Sequence, residues 1–139
     1  MIYSMPIIVP ANTPSNKPVE VNVEINEEVI THVRVRFPPG PSCMVRTALY
    51  YGQSQILPQP PDTYLAGDDE TIEWDEFIIL PSSPCRLTIR AWSPGTTYDH
   101  VIFWYIVALP EEIARWWSHL ETFTYSFEKF LKTLKITTK

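Results

Sequence analysis

Residues 18–37 read PVEVNVEINEEVITHVRVRF. Val19, Val21, Val23 and Ile25 alternate with Glu20, Asn22, Glu24 and Asn26, a period of two that buries one face of a strand and wets the other. The pattern resumes at Val29, with Thr31, Val33, Val35 and Phe37 on the same face and His32, Arg34 and Arg36 opposite. Joined by the short turn Asn26-Glu27-Glu28, the two runs predict an antiparallel hairpin. In that hairpin Glu20 and Glu24 face Arg34 and Arg36. Exposed pairs of this kind contribute about 0.2–1 kcal/mol each, so the arginines are read as structural.

Downstream, Pro38-Pro39-Gly40-Pro41 is a rigid corner, because proline fixes φ and glycine tolerates positive values. Strands are predicted over 43–51, 55–57, 71–80, 85–92 and 98–109, separated by Pro81-Ser82-Ser83-Pro84 and Ser93-Pro94-Gly95-Thr96. The stretch 58–69 is a long loop carrying Tyr64, a candidate contact loop. Short strands parted by proline-rich turns predict an all-β fold, an antiparallel β-sandwich of jelly-roll-like form with about seven to eight strands. In 98–109 both faces are apolar: Val101, Phe103, Tyr105, Val107 and Leu109 on one, Ile102, Trp104, Ile106 and Ala108 on the other. One face meets the core, and the second needs a cover.

Upstream, residues 1–18 place Pro at 6, 10, 14 and 18, which excludes helix and predicts an extended arm. The arm carries Ile2, Tyr3, Met5, Ile7, Ile8 and Val9. It docks either on its own sandwich or on a neighbouring subunit. In the second case Ile2, Tyr3, Ile7 and Ile8 are the contact residues.

After the domain at 19–109, Leu109-Pro110-Glu111-Glu112 is a helix start, with proline tolerated in the first turn and acids placed where the helix dipole favours them. Ile113, Trp116, Leu120, Phe123, Phe127, Phe130 and Leu134 then recur at alternating steps of three and four, an amphipathic stripe flanked by Trp117. The predicted helix, 110–135, followed by a tail at 136–139, spans about 40 Å at about 1.5 Å per residue. Three uses follow: covering the second face of 98–109, packing among copies of the chain, or lying on a membrane surface. The positions flanking the stripe carry almost no charge, which argues against a conventional exposed coiled coil, and the acids at the helix start weigh against the membrane.

The net charge of −5 argues against a general nucleic-acid binder, whose affinity comes from a cationic surface. Charge is sorted along the chain. Asp62, Asp68, Asp69, Glu70, Glu73, Asp75 and Glu76 stand without a base between them, while Lys129, Lys132, Lys135 and Lys139 end the chain. Opposite ends of the molecule are therefore suited to attract each other's copies. Cys43 and Cys85 fit no metal or redox motif and read first as buried small hydrophobes, with a single disulfide as the alternative. His32, His100 and His119 are too scattered for acid–base or metal work, and no nucleophile context surrounds any Ser or Cys. The acidic run lacks the spacing of a calcium loop. The chain is therefore expected not to be an enzyme and to need no cofactor. Its start lacks the basic region of a signal peptide, which predicts cytoplasmic synthesis without a cleaved leader.

The segments FPPGPSCMVRTALYYGQSQILP (37–58), GDDETIEWDE (67–76) and LTIRAWSPGTTYDHVIFWYIVALP (87–110) together resemble, in layout, small phage-encoded virion-associated β-domain proteins. The resemblance covers roughly residues 30–110 and transfers no binding residues. It implies a structural role in a virion, as a minor capsid, decoration or spike-base subunit that contacts its own copies and other virion proteins. The alternatives are a non-enzymatic binding module for a glycan or protein, and a peripheral membrane protein using the helix.

Overall fold

The computed structural model describes residues 1–137, with side chains through Leu134. Nine strands precede one helix: β1 (Ile2–Val9), β2 (Val19–Ile25), β3 (Val29–Phe37), β4 (Arg46–Tyr51), β5 (Ser54–Leu57), β6 (Leu65–Ala66), β7 (Glu70–Ile79), β8 (Cys85–Trp92), β9 (His100–Leu109) and α1 (Glu111–Thr137). They form two antiparallel sheets. The first runs β1-β9-β3-β7, and the second β2-β8-β4-β5 with β6 also paired to β4. The count is nine because a two-residue strand, β6, interrupts the loop predicted over 58–69, and because the arm itself contributes a strand.

One expectation is corrected here. β2 and β3 do not form a hairpin. β2 pairs only β8, with Glu20 opposite Arg90 and Glu24 opposite Arg86, whereas β3 lies between β7 and β9. Period-two alternation marks a strand with one buried face but does not name its neighbour. The segment 26–28 crosses between the sheets and is held there by other parts of the chain: the Glu28 carbonyl accepts from Leu80 N–H at 2.8 Å, and Ser83 Oγ donates to the Asn26 carbonyl. Of the two alternatives for the arm, docking on its own sandwich is the one found. Residues 2–9 are an edge strand of the first sheet, in register with β9 from Ile2–Val107 to Val9–His100. Pro6 is accommodated because an edge strand has one side without ladder partners. A polar corner fixes the rest of the arm: Thr13 Oγ1 and Ser93 Oγ both donate to the Pro10 carbonyl (2.7 and 3.0 Å), and Ser93 N–H donates to the Thr13 carbonyl (2.9 Å).

The core lies between the sheets. Ile7, Val35, Phe37, Trp104 and Ile106 from one side and Leu49, Leu87 and Ile89 from the other are fully buried. Around a bulge between Ile30 and His32, Ile30, opposite Ala108, joins Val33 and Val35 on the inner face, while Val29, opposite Leu109, is buried on the other face, so the strict alternation read from 29 onward shifts phase there. Cys85 is buried as expected, but Cys43 is exposed, and the two are unpaired. One polar contact crosses the core: Trp104 Nε1 donates to Thr47 Oγ1 at 3.0 Å, and that hydroxyl donates to the Arg90 carbonyl at 2.9 Å.

This contact is testable. Thr47→Val keeps the volume but leaves the buried indole N–H without an acceptor, and should destabilise the domain by about 1–3 kcal/mol in denaturant unfolding. Ile7→Ala should cost about 2–5 kcal/mol if the arm belongs to this core; an unchanged midpoint would place it elsewhere.

Candidate functional site

The helix is set by its first turns. Pro110 offers no N–H, and the carboxylate of Glu28 accepts the N–H of Glu111 at 3.3 Å, so an acid from the β2–β3 crossing meets the positive end of the helix dipole. Arg115 grips Glu111 one turn back through Nε (3.0 Å) and Nη2 (2.6 Å), and its guanidinium lies 5.9 Å from the ring centre of Phe77 on β7. Ala114 is the one buried side chain of α1 among the described residues.

Beyond that footing the helix leaves the sandwich. Ile113, Trp116, Trp117, Leu120, Phe123, Phe127, Phe130 and Leu134 are all exposed, Trp116 and Phe123 by about two thirds (66% and 65%). The structure therefore places the predicted helix residues on one projecting rod and brings none of them into the core. Trp117 Nε1 donates to Glu121 at 3.0 Å, and Phe123 stacks on Phe127 with centroids 6.1 Å apart. The polar tip of Trp117 is satisfied within the helix while its ring stays bare. The expected cover for the second face of β9 reaches only its last residues: Ile113, Ala114 and Trp117 stand beside Val107 and Leu109, and the stripe beyond them is exposed. Ile136 and Thr137, assigned to a tail, continue the helix, and residues 138 and 139 of that tail lie outside the described residues. Among the described residues no helix is long and apolar enough to cross a membrane.

The outer face of the first sheet is graded. Cross-strand rows run Ile2–Val107–His32–Asp75, Ser4–Tyr105–Arg34–Glu73 and Pro6–Phe103–Arg36–Thr71, apolar on the β1–β9 side and charged on the β3–β7 side. Where this face meets the start of α1 there is an open groove of about 810 Å³. Phe77, Val107 and Leu109 form its floor, with Ile113 and Trp117 as the helix wall, and Asp75, Glu76 and Glu121 stand around it. His32 bridges two acids here, Nδ1 to Asp75 at 2.7 Å and Nε2 to Glu73 at 3.3 Å. The hydrogen bond to Asp75, assisted by Glu73, raises its pKa above the ordinary value despite partial burial.

The arm residues separate. Ile7 is fully buried in its own core and is not available to a partner. Tyr3 is half-buried, its hydroxyl donating to Glu27 at 2.6 Å and accepting from Asn26 N–H at 3.1 Å. Ile2 and Ile8 remain exposed on the outer face. The acidic run is partly structural: Asp68 accepts from the N–H groups of Gly40 and Ser42, which hold its carboxyl below the usual range, and Asp69 pairs with Arg36 at 2.7 Å. Among the described residues no group of three or more His, Cys, Asp or Glu is placed to hold a metal ion.

On the opposite sheet, loop 58–69 is organised by Gln55, which donates to the carbonyls of Pro58 and Thr63 and accepts from Tyr50 and Asp62. Tyr64 meets Trp92 edge to face at 6.2 Å, with Arg46 4.6 Å from its ring centre. Beside them is a polar groove of about 480 Å³ reaching Asn16, Glu20, Tyr50, Gln53, Arg90 and Trp92. Sequence reasoning found Tyr64 but not these partners, which come from strands distant in the chain.

No protein-family model matches this sequence, and no curated protein sequence does. Solved structures overlap it at low similarity. The chain resembles the mitogen of Yersinia pseudotuberculosis at 8% identity and TM-score 0.44, covering 78% of this chain and 86% of that one. It resembles FLHE at 14% identity and TM-score 0.38, covering 76% and 94%. Viral proteins are also among the neighbours: the Tobacco streak virus coat protein at 14% identity and TM-score 0.30 (78% and 88% covered), and an infectious bursal disease virus (Gx strain) structure at 7% identity and TM-score 0.34, covering 76% of this chain but 32% of that one.

The His32 bridge predicts a pH effect with a defined sign. A raised folded-state pKa means that the stabilisation is fully present below the unfolded value, near 6.5, and is lost as pH rises through the folded value. The melting temperature should fall as pH rises above the unfolded value, and His32→Gln should flatten that slope. Equal slopes in the two proteins would remove His32 as its cause.

Proposed function

We propose that this chain is a non-catalytic structural subunit of a virion, a minor capsid, decoration or spike-base protein, that assembles with its own copies through α1. The single observation supporting assembly is the projecting helix. Its stripe of Trp and Phe stands in water, and helices in water draw most of their stability from covering such a stripe. Association among copies would cover the stripe of each. The sandwich suits a rigid building block. Its strand order, β1-β9-β3-β7 over β2-β8-β4-β5, fits a jelly-roll reading, an architecture used by viral capsid domains and also by lectins and cupins. The fold thus supports the virion setting by analogy, as does the layout of residues 30–110, while the assembly reading rests on the helix itself.

A second reading, a glycan-binding module, is favoured by the polar groove of the other sheet, where the rings of Tyr50 and Trp92 stand beside the amides of Asn16 and Gln53. Oligosaccharide binding by the full chain, abolished by Trp92→Ala, would support it in place of the assembly role.

Removing residues 111–139 tests the first reading. Because Ala114 is the one buried side chain of α1 among the described residues, the truncated domain should stay folded by circular dichroism. Light scattering should give the full chain a multiple of its single-copy mass and the truncated chain the single-copy mass. A full chain that stays single across the concentration range would sink the proposal.

A further inference from the structure

We infer that α1 pairs antiparallel with α1 of a second copy, so that the lysine-bearing end of each helix lies in the acid-rimmed groove beside the other's first turns. This rests on the assembly reading and adds the surface, the direction and the occupant. The groove has an apolar floor and the acids Asp75, Glu76 and Glu121, and neither Lys nor Arg lines it. Its occupant should therefore be apolar along one side and cationic along its margins. The far half of α1 has that chemistry: Phe127 and Phe130 are exposed beside Lys129 and Lys132, and among the described residues neither lysine enters an ion pair. Lysine stems can lie on apolar surface while the ammonium reaches the rim.

Direction follows from the sorting of charge. Glu111, Glu112 and Glu121 occupy the first half of the helix, where Arg115 is already tied to Glu111; Lys129 and Lys132, with Glu128 beside them, occupy the second. A parallel pair would set lysine against lysine, whereas an antiparallel pair sets the basic half against the acidic half and opposes the helix dipoles favourably. With the midpoint of Glu111–Thr137 at Thr124, Lys129 and Lys132 fall opposite the stretch 116–119 of the second copy, which borders the groove. Each copy gives and receives one such contact, so the pair closes by twofold symmetry. An anionic membrane surface is a poorer occupant, because the rim acids repel it.

Charge reversal tests this in the full-length chain. One variant carries Lys129→Glu with Lys132→Glu, the other Asp75→Lys with Glu121→Lys. Alone, each sets like charges against each other at both contacts, and its self-association should weaken by about tenfold or more. An equimolar mixture restores complementary charge at both contacts and should recover the affinity of the unaltered chain. Circular dichroism checks folding, and Glu121→Lys alone, a change on the exposed helix, replaces the double groove variant if Asp75→Lys unfolds it. Variants that associate as tightly as the parent, or a mixture as weak as its components, would overturn the inference while leaving assembly intact. A parent chain that stays single would remove both.

Discussion

β9 is bonded to β1 along one edge and to β3 along the other, and its inward side chains, Ile102, Trp104, Ile106 and Ala108, are fully buried. Trp104 reaches through the core to Thr47 of the opposite sheet, so the spacing of the sheets and the order of the first sheet are fixed by the same strand. Residues 2–9 are drawn in because β9 offers an unpaired edge, and an apolar strand such as Met5-Pro6-Ile7-Ile8-Val9 has both the period and the side chains to fill it. The C-terminal end of β9 passes directly into Pro110 and the helix. The element that organises the core therefore also launches the one element that lies outside it.

What could be read from the sequence was local. Strands announced by alternation, β2, β3, β8 and β9, are where the pattern puts them, and the helix start at Pro110-Glu111 is recognisable from its proline and acids. Partnership was not legible. Glu20 is salt-bridged to Arg90, 70 positions away, and no local pattern separates that partner from Arg34, because both are arginines on the wet face of a strand. The arm gave an ambiguous signal for a related reason: four prolines exclude helix equally for an edge strand and for a free segment. The exposed stripe of α1 was legible in residues and period, but its exposure was not. An amphipathic pattern states that a face needs cover and is silent about which surface supplies it.

The two outer faces divide the chemistry of the surface. On the first sheet, apolar side chains at the β1–β9 edge grade into the ion pairs of β3 and β7, where Arg34 lies 5.3 Å from the ring centre of Tyr105. On the second, arginines sit over aromatic rings, Arg90 at 4.2 Å from Tyr50 and Arg46 at 4.6 Å from Tyr64, and the planar groups screen the rings from water. On the second face Tyr50 and Tyr64 are thus partly covered by the chain's own arginines. The first leaves its apolar edge, with Ile2 and Ile8, open.

The footing of α1 is small for what it supports. Glu28 at the helix start, Ala114 in the sandwich and Arg115 over Phe77 all lie within its first two turns, while the rod continues for a total of 27 residues, about 40 Å. Such a geometry has leverage. A tilt of about 5° at Ala114 moves the far end by about 3 Å, so in the proposed assembly the footing would set the angle between neighbouring domains. Side-chain size at Ala114 is then a dial on that angle: a bulkier residue there would lever the rod outward from the sandwich.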